Sequence, residues 1–224
     1  MIAVGDIALP NAACSADLKN VFIQHANIFS GNTLVCNLEG LLCDDIAPDT
    51  NTPVLYNHSS VLDALVDANT KAVGLANNHT LDLPGYFDNT IKGLAQNNIA
   101  FTGAGKSKKE AAQSVSFFEN DIEIILFNYC WDFLLYHQRN PTAGVHVAEI
   151  DTLQLLKDIA TEKKSKPHAK IIIYLHWSFD LETLPFPMYR QMAMGMVDAG
   201  ANAVIGTHSH CVQEIGRASC RERV

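Results

Sequence analysis

No apolar run in this 224-residue chain is long enough to cross a bilayer, and its start, MIAVGD, lacks the basic segment of a secretory leader. Read as it stands, the chain is expected to be cytoplasmic, or cell-surface and membrane-associated if a leader precedes its first strand. Basic residues are scarce, 16 Lys and Arg against 24 Asp and Glu, for a net charge of -8. Neutralising phosphates needs clustered Lys and Arg, so the balance argues against nucleic acid as a partner. The one dense basic stretch, KKSKPHAK at 163–170, reads as a solvated loop. None of the six cysteines forms a CxxC pair, which removes zinc knuckles and redox dithiols. Cys36 and Cys130 stand in apolar runs and read as buried thiols. Internal repeats and domain linkers are also lacking. What is present is a chain 48% hydrophobic, enough for one sizeable core.

Short apolar runs alternate with amphipathic stretches. Strands are predicted at 2–4, 33–38, 71–76, 99–103, 114–119, 122–129, 170–177 and 202–206. Helical periodicity runs over 18–30, 59–69, 86–98, 151–164 and 189–200, with Ser59 and Asp151 as candidate caps. LPFP at 184–187 reads as the approach to the last helix. This alternation argues an α/β fold. Only Asn120 and Asp121 separate the fifth and sixth strands, a hairpin signal that makes the sheet mixed. CDDIAPDTNTP at 43–53 is expected to be a loop at the rim of a site.

The strand ends carry the chemistry. They read Gly5-Asp6, Asn37-Leu38-Glu39-Gly40, Asn77-Asn78-His79, His176, and Gly206-Thr207-His208-Ser209-His210. Ligand sites in open α/β sheets form beyond the carboxyl ends of strands. Alone, each residue has an ordinary use: Asp6 or Asn78 in a turn, Glu39 as a solvated acid, His176 at a core edge. Together they offer an oxygen-and-nitrogen donor set suited to divalent ions of the Mn, Fe or Zn type. Two such ions a few ångströms apart could clamp a phosphoryl group or similar ester. Gly206 is expected to let the chain turn into His208 and His210. His79 follows Asn78 and cannot easily face the same ion. With Asp82 holding its ring, it suits general acid catalysis.

The ordered strings GDI, NLEG, GLANNHTLDLPG, TGAG, HW and GTHSHCVQ resemble the poly-gamma-glutamate capsule synthesis CapA family, a branch of the calcineurin-like metallophosphatases. The resemblance covers 1–213. It implies an α/β/β/α sandwich of two mixed sheets flanked by helices, with a dinuclear metal centre at the strand ends. By the same resemblance Asp6, Glu39, Asn78, His176, His208 and His210 are metal ligands, Glu39 bridges, and His208 and His210 serve different ions. His79 and Asp82 are the catalytic candidates. Implied partners are poly-gamma-glutamate or another anionic polymer or ester, and capsule-synthesis membrane proteins.

Two departures stand out. Metallophosphatases usually begin Asp-x-His, whereas Ala8 stands in the histidine position. The family's His-Trp-Gly and following Glu are replaced around Ser178, Asp180 and Glu182, so no role carries over to that acid. Three functions therefore compete: a metal-dependent hydrolase-type protein of capsule synthesis, a phosphoesterase of another ester, and a non-catalytic polymer- or partner-binding module. Arg139 and Arg190, the only arginines before residue 214, follow no ligand motif, which disfavours a phosphate substrate. The tail EIGRASCRERV at 214–224 resembles a translated sequencing adapter. It is expected to be non-native, with the family's following strands missing and one sheet edge left uncovered.

Overall fold

The computed structural model describes residues 1–45, 54–135, 144–213 and 215–216. Most of the 43–53 loop, Arg139 and nearly all of 214–224 lie outside the described residues. In chain order, β1 (Ile2–Ile7) is followed by α1 (Ala12–Gln24), the single turn α2 (Ala26–Phe29), β2 (Leu34–Leu38), β3 (Leu41–Leu42) and β4 (Tyr56–Asn57). Next come α3 (Val61–Asp67), β5 (Thr70–Gly74), two 3-10 turns (Asn78–Leu81, Pro84–Tyr86), α4 (Phe87–Gln96), β6 (Ala100–Thr102) and β7 (Ala104–Gly105). Then follow α5 (Lys108–Ala111), β8 (Val115–Glu119), β9 (Ile122–Cys130), α6 (Asp132–Leu135) and β10 (His146–Val147). The last elements are α7 (Thr152–Ser165), β11 (Lys170–His176), α8 (Pro187–Ala199) and β12 (Ala203–Thr207).

Two four-stranded sheets, β1-β2-β5-β6 and β12-β11-β9-β8, form the sandwich. The first is parallel throughout. The second is mixed, because β8 and β9 form the expected antiparallel hairpin. Asn120 and Asp121 make its turn with φ of 47° and 65°, the paired left-handed geometry that suits two-residue hairpins. The inner strands are apolar at nearly every position because both faces are covered. Along β9 and β11 the faces alternate: Ile125, Phe127, Ile171, Ile173 and Leu175 pack outward in the core under α7 and α8. Ile124, Leu126, Ile172 and Tyr174 meet Val35 and Ala72 of the other sheet. The same period of two puts Asn128 and His176 on the inner face, just past the last apolar residues.

Each predicted strand is present, and most helices run where periodicity put them. Asp151 caps α7, accepting from the Gln154 N–H at 3.0 Å. Ser59 does not cap α3. Ser60 is the boundary residue, but its hydroxyl meets His58 Nδ1 at 2.8 Å rather than a helix N–H, and the Ser59 N–H is taken by Asp44 at 2.7 Å. The first helix starts earlier than periodicity indicated, at Ala12, where Asn11 Oδ1 accepts from the Cys14 N–H at 2.9 Å. Its first turn is made of small residues that carry no apolar stripe. The basic stretch 163–170 is only partly loop, since 163–165 closes α7 and Lys163 Nζ donates to the Pro167 and Ala169 carbonyls. Pro187 opens α8 at a position that needs no N–H partner. Cys36 and Cys130 are buried thiols, as expected. Among the described residues no helix is long and apolar enough to cross a membrane.

Candidate metal centre

The sandwich brings the carboxyl ends of β1, β2, β5, β11 and β12 to one edge, where the predicted site residues meet. Asp6 is held from both sheets. Asn37 Nδ2 donates to its Oδ1 at 2.6 Å and the His208 N–H donates to its Oδ2 at 2.8 Å. Register places Asp6 opposite Asn37, after an irregularity in β1 that aims the acid inward. His176 Nε2 lies 2.7 Å from Asn78 Oδ1 and 3.5 Å from Glu39 Oε1. On its other side, Nδ1 meets Thr207 Oγ1 at 3.0 Å and Asn37 Nδ2 at 3.3 Å. His210 Nδ1 is 3.5 Å from Asp6 Oδ2. Asn77 takes a supporting role. Its amide donates to the Leu38 carbonyl at 2.9 Å and its Oδ1 accepts from the Gly40 N–H and the Thr80 hydroxyl, clamping β2 to the turn that carries Asn78.

Two groups of side chains have donor atoms close enough for one ion each. Asp6, Glu39 and His176 form the first; Glu39, His208 and His210 form the second. Glu39 belongs to both, the position a bridging carboxylate needs. The family pattern divides His208 and His210 between two ions, whereas here both stand with Glu39 in one group. His79 is in neither group. Its Nδ1 pairs with Asp82 Oδ2 at 2.7 Å, and Asp82 is itself fixed by the Leu55 N–H at 2.9 Å. His79 lines a cavity of about 460 Å³ together with Asp6, Ala8, Glu39, Val54, Leu55 and His210. Ala8 thus stands on the wall of the site and adds no donor there.

The electrostatics fit a cation. Glu39 is 2% exposed, and its Oε1 has no hydrogen-bond partner; neither has the buried His208 Nδ1. Buried polar atoms left unpaired cost free energy, and among the described residues no Lys or Arg lines the cavity to compensate them. Burial and the neighbouring Asp6 charge push the Glu39 carboxyl up to about 7. Burial also pushes Asp6 up, but His176, the His208 N–H and Asn37 outweigh it and hold the acid at about 2. Burial and the adjacent His176 pull His208 down to about 4, and burial lowers His176 against the pull of Asp6. These imidazoles are therefore neutral near pH 7 and free to donate lone pairs. His79 differs. Burial lowers it, yet the Asp82 hydrogen bond and charge outweigh that and leave it above 6.5.

Two residues to which the sequence assigned no role stand against the site. Asn37 holds Asp6 and touches His176, and its only sequence signal is an amide inside the buried strand LVCNL. Asp180 Oδ1 stands 3.5 Å from His208 Nε2 and 3.8 Å from His210 Nε2. Gly206 does not make the turn as expected. It lies inside β12, and a Cβ there would meet Trp177 Nε1 at 2.6 Å. His208 and His210 take the left-handed backbone instead, with φ of 90° and 51°. The glycine makes room for the indole beside His176, and the histidines bear the conformational cost.

This sandwich, with acids, amides and imidazoles at one set of strand ends, has a metallophosphatase-like α/β fold. Within that class the chain belongs to the bacterial capsule synthesis protein PGA_cap family, whose model matches residues 1–223. The match runs through most of the 214–224 stretch and gives the adapter reading of that tail no support. The chain is 28% identical over 166 residues to the PGA biosynthesis protein CapA of Bacillus subtilis (strain 168), covering 72% of this chain and 42% of that protein. It is 27% identical over 157 residues to the capsule biosynthesis protein CapA of Bacillus anthracis, covering 67% and 37%. The matched region thus spans about two fifths of these relatives. A hypothetical protein from Thermus thermophilus shares the fold at a TM-score of 0.54 and 12% identity, over 93% of this chain and 67% of that one. A Staphylococcus aureus protein provisionally named a 5'-nucleotidase, solved with alpha-ketoglutarate, does so at 0.60 and 14%, over 93% and 44%.

Proposed function

We propose that this chain is the metal-dependent, hydrolase-type domain of a protein that acts in the synthesis of poly-gamma-glutamate or a related anionic surface polymer, with capsule-synthesis membrane proteins as partners. The observation that carries the reading is Glu39. One buried carboxylate shared by two donor groups, with an oxygen left unpaired, is what a pair of divalent ions of the Mn, Fe or Zn type would satisfy. Asp6, Asn78 and His176 would hold one ion, His208 and His210 the other, and Glu39 would serve both. Such ions would polarise an ester or amide carbonyl or phosphoryl oxygen and activate water near neutral pH.

The chain's own residues do the rest. Asn37 and the His208 N–H fix Asp6 so that its charge points into the site. His79, outside both donor groups and on the cavity wall, would supply a proton to a leaving oxygen or nitrogen. Asp82 orients that ring and raises its proton affinity.

Purified protein is expected to contain metal, by elemental analysis, and to hydrolyse p-nitrophenyl phosphate esters with added Mn. Asn78→Ala and His208→Ala should each lose both metal and rate. A metal-free, inactive wild type that neither change alters would sink the reading. It would favour a non-catalytic polymer-binding module, for which Ala8 on the cavity wall already speaks.

The proton on His79 predicts a pH profile. A general acid works only while protonated, so the rate should fall as pH rises through the raised value of His79. Asp82→Asn removes the charge that helps raise it, and should move that alkaline limb to lower pH. An unmoved limb in a folded, metal-loaded Asp82→Asn variant would remove His79 from the acid role.

A further inference from the structure

Asp180 is a solvent-facing acid whose backbone is nonetheless tied down on both sides. Before it, Phe179 packs edge-on against Trp131 and Phe186, with ring centroids 5.3 and 5.6 Å away. After it, the Leu181 N–H donates to the Ser209 carbonyl at 2.8 Å. One residue further, the Glu182 carbonyl accepts from Gln213 Nε2 at 2.7 Å and from Cys211 Sγ at 3.0 Å. The loop bearing Asp180 is thus fastened along the segment that bears His208 and His210. Ser178 and Leu181 hold left-handed backbone, with φ of 77° and 59°, to keep it there. The result is a carboxylate within 3.8 Å of both imidazoles, with 65% of its side chain exposed.

We propose that Asp180 is a further donor of the metal centre, an exposed carboxylate beside His208 and His210 that joins the Glu39–His208–His210 group when an ion binds. The inference rests on the metal reading above and adds a residue to it. Two observations point to a ligand rather than to a surface ion pair. First, that group has three protein donors where small metal sites close at four or more, and Asp180 Oδ1 stands within 3.8 Å of the Nε2 atoms of two of the three. Second, charge is uneven between the groups. Asp6 gives the first group a carboxylate of its own beside the shared Glu39, while the second has only Glu39 and two imidazoles. Asp180 supplies the matching negative charge, so each divalent ion meets one private and one shared carboxylate. Its exposure suits an arm that closes on an ion entering from solvent.

Calorimetric titration of metal-stripped protein with Mn and Zn, with metal counted by elemental analysis, tests this in the whole chain. Wild type should bind two ions. Asp180→Asn should bind the first unchanged and the second about 10–100-fold more weakly, the loss typical of an altered metal surrounding. Asp180→Glu should recover part of the loss, and the visible spectrum of Co at the weakened site should change in Asp180→Asn. Should Asp180→Asn fail to fold by circular dichroism, Asp180→Ser carries the same test. If the folded variant binds every ion as tightly as wild type, Asp180 is no donor, while the metal centre stands. A wild type that binds no ion overturns the metal centre and this proposal together.

Discussion

Glu39→Gln is expected to reduce metal affinity at both donor groups at once, by about 100-fold or more, while making the metal-free protein more stable. The two effects share one cause. Glu39 is buried, belongs to both groups, and has a raised proton affinity because burial and Asp6 oppose its charge. A rise from 4.5 to about 7 corresponds to about 3 kcal/mol of destabilisation once the acid is ionised. The folded state binds this proton more tightly than the unfolded state. Stability of the stripped protein should therefore fall as pH rises from about 4.5 through about 7, and level off above. Glutamine cannot ionise, so the variant should lack this fall and unfold at a higher temperature near pH 8 in chelator. Added metal should reverse the order, because ions that bind only the native state stabilise it by mass action. Denaturant melts at three pH values, with chelator and with Mn, read both effects. A variant less stable than wild type in chelator at pH 8 would show that the Glu39 charge is compensated by something other than a metal.

Gly103→Ala should be among the most damaging single-methyl additions in the chain, costing roughly 3 kcal/mol or more of stability. Gly103 has φ of 97°, and a Cβ there would lie 2.6 Å from the Ala76 backbone nitrogen and 2.7 Å from its Cβ, as well as inside the Asn128 amide. None of these can move cheaply. Asn128 sits on the inner face of β9, accepts from the Ala76 N–H at 2.6 Å and donates to the Tyr174 carbonyl at 3.2 Å, so its amide couples the two sheets. Ala76 leads directly into Asn77, Asn78 and His79. A shift at Gly103 should thus be felt twice, as a lowered unfolding midpoint and as weaker metal binding near Asn78. Gly85→Ala is the control, since nothing lies within 4 Å of its added methyl, and it should stay within about 0.5 kcal/mol of wild type. Equal stability of the two variants would show that the sheets can part at this joint without loss.

The sequence by itself determined the strands, the Asn120–Asp121 hairpin, and the residues that would gather at the strand ends. These are local properties. Period-two alternation names the face a side chain takes, and paired left-handed residues name a turn, whatever the rest of the chain does. Only the tertiary structure decided how those residues divide. Glu39 became shared, Asn77 became a clamp while Asn78 reached His176, and Asp180 arrived beside a histidine pair about thirty residues away in the chain. Strand register and the packing of one loop on another set these contacts, and both depend on segments far apart in sequence. Gly206 shows the limit most clearly. In sequence it looked like the flexible point before two histidines, but the crowding that requires a glycine there comes from Trp177, just past the end of the neighbouring strand.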